Sequence, residues 1–232
     1  MTTFNGTNQT NCDDGYRCRG TPTGCNTCLA GEFGVCSGTA VNNNGAMIIL
    51  TSSGGNTENK GNYDGTTRSL EGSIGVASHL NNSVADHVAV FSTAHPNCHG
   101  EVEAVLSRPA NYSLTICVPD VPPFGHEDEF PECGQTAIGC LPGVDVSFFV
   151  PESSAPGRFK LKIESALDSN QLLNATATIT DTQTSDFVRK SSTPLATPLW
   201  YASQAKRFGF GGQRTSSSFP ARWDDLVASA GC

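Results

Sequence analysis

The sequence predicts an all-β protein, an antiparallel β-sandwich with a small disulfide-rich module at its N-terminus. Three observations lead there. Short runs of apolar or alternating character recur between residues 41 and 190, clusters of Gly, Asn, Pro, Asp and Ser separate them, and no stretch between them keeps a helical period. An immunoglobulin-like sandwich is the first expectation and a jelly roll the second.

Residues 1–40 form a polar tail and the cysteine-dense run CDDGYRCRGTPTGCNTCLAGEFGVC, with gaps of five, six, two and seven residues between cysteines. Such a segment holds too few apolar side chains for a core of its own, so cross-links must take its place. The ten cysteines fall as Cys12, Cys18, Cys25, Cys28 and Cys36, then Cys98, Cys117, Cys133 and Cys140, then Cys232. An even count without paired metal spacing reads as five disulfides and an extracellular or cell-surface setting. The first cluster is odd in number, so one of its members bonds outside it, and Cys232 is the simplest partner. The Cys25 and Cys28 pair lacks the second ligand pair of a zinc site and the strand-to-helix junction of a redox site, and is read as structural.

Within residues 41–190 the expected strands are Ala46–Ser52, Gly72–His79, Ala85–Ser92, Glu101–Ser107, Ser113–Val118, Asp145–Val150, Phe159–Ala166 and Ala175–Thr184. Their separators, SGGNTENKGNYDG among them, carry residues that tolerate positive φ or preset a bend. In Phe159–Glu164 apolar and charged residues alternate strictly, which puts Phe159, Leu161 and Ile163 on the core face. The run from Ala175 places threonine along one whole face, suited to an exposed sheet surface and also to a glycan or another subunit.

Residues 191–232 form an aromatic C-terminal extension. Pro194, Pro198 and FGFGG break structure there, while Trp200, Tyr201, Phe208, Phe210, Phe219 and Trp223 need a surface to pack on. A short helix is expected from Pro220 to Ser229, with proline early and Gly231 at its end. Trp200, Tyr201 and Trp223 are the candidate interface residues.

Composition narrows the function. Charged residues make up 16% and the formal net charge is −8, so the chain lacks the basic stripe that nucleic acid demands. Apolar runs are too short for a membrane-spanning helix. The opening MTTFNGTNQTNC has neither the basic nor the apolar region of a signal peptide, as expected of a mature or trimmed form. N-glycosylation acceptors stand at Asn5, Asn8, Asn81, Asn111 and Asn174.

The histidines are His79, His87, His95, His99 and His126. His95 and His99 flank Cys98, with Glu101 and Glu103 following, but Pro96 and Gly100 make this a turn rather than a zinc-binding helix face. His126-Glu127-Asp128-Glu129 offers oxygen ligands without the spacing of a calcium loop. No nucleophile elbow, phosphate loop or zinc-protease signature occurs. The expectation is a non-enzyme without metal or cofactor. One reading is an N-glycosylated structural protein that assembles with copies of itself into an extracellular filament, sheath or coat, by strand addition from a terminal segment such as Thr2–Asn11. The alternative is a monomeric, lectin-like carbohydrate-binding module using sheet loops or the threonine face. Non-reducing peptide mapping is expected to find all ten cysteines oxidised, with Cys232 bridged to the N-terminal cluster; several free thiols would refute the parity argument.

Overall fold

The computed structural model describes the backbone of residues 16–19, 27–33, 40–42, 48–50, 54–61, 67–75, 87–95, 99–108, 111–121, 129–136, 138–150, 158–202, 206–213 and 221–230. Side chains are described for 68–74, 87–95, 100–108, 111–121, 129–136, 138–150, 158–201 and 209. In order, the strands are β1 (Tyr16–Arg19), β2 (Thr27–Phe33), β3 (Ala40–Asn42), β4 (Ile48–Leu50), β5 (Gly54–Gly61), β6 (Thr67–Gly75), β7 (His87–Ala94), β8 (His99–Ser107), β9 (Ser113–Val118), β10 (Asp120–Val121), β11 (Gly139–Cys140), β12 (Val144–Asp145), β13 (Phe159–Leu167), β14 (Leu173–Asp181), β15 (Phe187–Ser191), β16 (Lys206–Gln213) and β17 (Ala221–Ala230). A 3-10 turn, Leu199–Ala202, precedes β16.

The strands form two sheets. The larger has ten strands in the order β1-β2-β5-β16-β7-β8-β9-β11, with β10 beside β8 and β12 beside β9. The smaller has seven, β15-β14-β13-β6-β17-β3, with β4 also paired to β17. All pairings are antiparallel except β2 with β5. This is the all-β sandwich the sequence predicts, with more strands than the roughly seven to nine of an immunoglobulin-type domain. The cysteine-rich segment contributes β1 and β2 to the edge of the larger sheet, with Cys18 opposite Cys28.

Alternation decides what is buried. Val88, Val90, Val102, Ala104, Leu106, Leu114 and Ile116 of the larger sheet meet Leu70, Ile74, Phe159, Leu161, Ile163, Ala177 and Ile179 of the smaller one in a single core. Along β13 every second residue is buried from Phe159 to Ser165, as its sequence dictates. Trp200 and Tyr201 close one part of this core.

Several expectations are corrected. The separator SGGNTENKGNYDG contains β5, and FGFGG lies inside β16; these glycine-rich strands pair with each other from Gly54–Gln213 to Gly61–Lys206. Glycine weakens a strand, but pairing with β7 on the other side of β16 supplies the backbone partners that outweigh this. The helix expected over Pro220–Ser229 is instead β17, held by β6 on one side and by β3 and β4 on the other. A register shift between Asp224 and Val227 breaks its period of two, which hides the alternation that would mark a strand. Asp145–Val150 is a strand only at its start. The Asp145 carboxylate accepts the Ser147 N–H at 2.8 Å, and Phe149 and Val150 both donate to the Val146 carbonyl, so the chain turns there.

Leu161 is fully buried and Lys162, next to it, faces outward. Leu161→Ala is expected to cost about 2 to 5 kcal/mol in chemical denaturation, and Lys162→Ala no more than about 1 kcal/mol. Equal losses would show the period to be misassigned.

Candidate functional site

The outer face of the seven-stranded sheet is built by the same alternation that builds the core. Its residues lie in three cross-strand rows: Ser73, Lys160, Thr180 and Phe187; Glu71, Lys162, Thr178 and Arg189; Ser69, Glu164, Thr176 and Ser191. Neighbouring rows are about 6.7 Å apart and neighbouring strands about 4.8 Å. The face is a grid of hydroxyls and charges, in which Ser69 and Ser73 of β6 are buried. Lys160 donates to Glu71 at 3.4 Å and Lys162 to Glu164 at 2.9 Å, while the hydroxyls of Thr176 and Ser191 lie 3.2 Å apart.

Two features set the outer edge apart. Phe187 is 57% exposed, and the Arg189 guanidinium sits 5.2 Å from the centre of its ring. Thr178, in the middle row, is only 7% exposed, yet its Oγ1 has no hydrogen-bond partner. Buried hydroxyls are normally satisfied, so this one stands apart from the other hydroxyls of the face.

A tight turn sets the edge strand in place. Arg158 donates through Nε at 3.1 Å and through Nη2 at 2.5 Å to the Asp181 carboxylate, which also accepts the Gln183 N–H at 2.9 Å. The hydrogen bonds from Arg158 hold the Asp181 carboxyl below the ordinary carboxylate range. Ser185 takes a φ of 64° and donates its N–H to the Asp181 carbonyl, which turns the chain back into β15 with Phe187 and Arg189 on the outer face.

The other candidate residues are placed as follows. His95 lies 3.5 Å from Glu132, beside Cys133. Cys133 is disulfide-bonded, so its sulfur is no thiolate and the trio does not make a metal site. Cys117 and Cys140 form a disulfide across β9 and β11. His99 begins β8 and His87 begins β7. Asn111 is exposed and Asn174 half-buried on the face that carries the threonines. Trp200 and Tyr201, expected at an interface, are core residues; their large apolar areas are satisfied within the chain. Trp223 stands in β17 opposite Ile48 and Ile74. Cys12, Cys25, Cys36, Cys98, Cys232, Asn5, Asn8, Asn81, His79, His126, Glu127 and Asp128 lie outside the described residues. The sequence reading found the threonine face but missed Phe187 and Arg189; the alternation in Phe187-Val188-Arg189-Lys190-Ser191 was the available signal.

Glu101 and Glu103 share the outer face of the larger sheet on β8, with Glu103 opposite Phe91 and Cys117. Glu103 as a residue is partly accessible, while burial pushes its carboxyl up to about 7, so the acid end is the covered part. A carboxyl raised from 4.5 to about 7 favours the fold most below about pH 4.5, and its contribution falls as pH rises through 7. Glu103→Gln is expected to match the parent in denaturation at pH 4 and to exceed it by about 2 to 3 kcal/mol at pH 8. An unchanged difference between the two pH values would contradict it.

No protein-family model matches the chain, and no curated protein matches it. Solved structures are similar in fold. The metal-free carbohydrate recognition domain of Emp46p aligns at 12% identity over 84% of this chain and 87% of that one, with a TM-score of 0.50. The CBM2 module of the evolved Dit of Lactobacillus casei BL23 phage J-1 aligns at 9% identity over 87% and 80%, with a TM-score of 0.45. Lectin I of Ulex europaeus, in complex with the methyl glycoside of α-L-fucose, aligns at 11% identity over 70% of each chain, with a TM-score of 0.40. At such identities the likeness is one of fold. The protein is an all-β sandwich, similar in fold to the carbohydrate recognition domain of Emp46p.

Proposed function

We propose that the protein is an extracellular, non-catalytic carbohydrate-binding module that holds a glycan chain across the outer face of its seven-stranded sheet. The observation that carries this reading is the exposed Phe187 at the end of rows of threonine hydroxyls, one of them buried and unpartnered. A sugar ring presents an apolar C–H face and a rim of hydroxyls. An exposed aromatic ring takes the first, and Thr hydroxyls and Lys–Glu pairs supply both donors and acceptors for the second. A repeating sheet surface suits an extended chain rather than an enclosed small molecule.

The likeness in fold to a carbohydrate recognition domain agrees with this reading, and the Cys117–Cys140 disulfide suits an oxidising compartment. Of the contacts that the self-assembly reading invoked, Trp200 and Tyr201 are committed to the core, while the terminal segment Thr2–Asn11 lies outside the described residues.

Affinity electrophoresis through gels containing single polysaccharides, before and after enzymatic removal of N-glycans, tests the proposal. Phe187→Ala is expected to weaken retention by roughly five- to tenfold, the worth of one aromatic contact. Phe148, 82% exposed in the turn after β12, provides the control: Phe148→Ala should bind as the parent does. Loss of binding in both variants, or in neither, refutes the site. Release of reducing sugar from a bound polysaccharide would refute the non-catalytic assignment.

A further inference from the structure

We infer that the glycan this face takes is acidic, with a sugar carboxylate seated on Arg189 and Thr178; the inference rests on the glycan-binding reading of the same face. Across β6, β13, β14 and β15, three cations, Lys160, Lys162 and Arg189, stand against two carboxylates, Glu71 and Glu164. The whole chain has a formal net charge of −8. Lys160 is paired with Glu71 and Lys162 with Glu164, whereas the contact of Arg189 is with the Phe187 ring. Among the described residues no ion pair engages this guanidinium, so its fork of donors is open.

The register aligns what a carboxylate needs. Lys162, Thr178 and Arg189 stand in one row, with about 4.8 Å between successive strands. Arg189 can take both oxygens of a carboxylate side by side, a planar match that a tetrahedral sulfate meets less well. Thr178 Oγ1, closed off from solvent and without a partner, becomes a third donor once the side chains above it part to admit the carboxylate. Phe187 holds the guanidinium from one side, which reduces the freedom lost on binding. A neutral sugar leaves the fork to water, and an acidic one replaces that water with a charge-assisted pair.

The probes are polygalacturonate, the same polymer fully methyl-esterified, and dextran sulfate, each titrated into the protein at two salt concentrations. The parent is expected to bind polygalacturonate at least about tenfold more tightly than the ester, with the preference shrinking as salt rises. Arg189→Gln should bring the two polymers to within about twofold of each other, Arg189→Lys should keep only part of the preference, and Thr178→Val should lower polygalacturonate affinity severalfold. Melting curves confirm that the variants are folded. Equal binding of acid and ester by the parent, or tighter binding of dextran sulfate, overturns the carboxylate inference while the glycan-binding reading stands. Binding of the acid lost in Phe187→Ala but insensitive to both Arg189 variants overturns it too. Failure to bind any of the three, together with the neutral polysaccharides, overturns both.

Discussion

The ridge Phe159, Leu161 and Ile163 supports everything on the outer face of the smaller sheet. These three side chains are fully buried against the larger sheet. A strand offers alternate residues to opposite sides, so burying them leaves Lys160, Lys162 and Glu164 outside with no freedom to exchange places. Strands β6 and β14 flank β13 in unbroken register, and their own inward residues, Leu70, Ile74, Ala177 and Ile179, fix the same parity. A one-residue slip in β14 would send Thr176, Thr178 and Thr180 into the core and three apolar residues into water. The grid of hydroxyls and ion pairs is thus a by-product of the apolar core, held to the precision of that core.

The core itself contains a polar node that locks the two sheets together. Arg68 of β6 is 4% exposed; its guanidinium lies 4.3 Å from the centre of the Tyr201 ring and donates to the Thr93 hydroxyl of β7 at 3.3 Å. The Tyr201 hydroxyl reaches Ser165 of β13 at 3.1 Å, and Ser165 lies 2.8 Å from Ser92 of β7. Buried polar groups cost free energy unless satisfied, so a chain of them spanning both sheets penalises any sliding of one over the other. Trp200 beside it packs so closely on Gly100 of β8 that an added Cβ would stand 2.6 Å from its ring. The 3-10 turn is therefore a plug in the sandwich, and its aromatics serve stability.

The physics of each element explains what could be read ahead of the structure. Strand β9 runs from Ser113 to Val118 as expected, and β13 extends the expected Phe159–Ala166 by one residue, because alternation there is strong and the sheet neighbours agree with it. Strands β5 and β16 were unreadable because glycine carries no side chain to show a period, and pairing partners more than a hundred residues apart in sequence are invisible locally. Strand β17 was misread because Pro220 and Gly231 imitate the boundary signals of a helix, while its bulge hides the alternation of a strand. At the candidate site, Thr176, Thr178 and Thr180 were legible as one face. The row through Lys162, Thr178 and Arg189 was not, since a register between three strands is a tertiary fact.

The position of Arg189 on the outermost strand links charge, edge protection and recognition. Strand β15 ends the smaller sheet, and an edge strand exposes unpaired backbone groups that invite another chain. Arg189 and Lys190 on that five-residue edge oppose such pairing by charge and bulk, as short charged edges do. Strand addition, the contact on which a filament would depend, is thus disfavoured at this edge. Repelling a β-strand does not repel a glycan, which approaches from above the sheet rather than in its plane and needs no backbone partners. An arginine on the outer face meets both demands at once: it guards the edge within the sheet plane, and its guanidinium, laid over Phe187, offers a cation to whatever lies across the threonine rows.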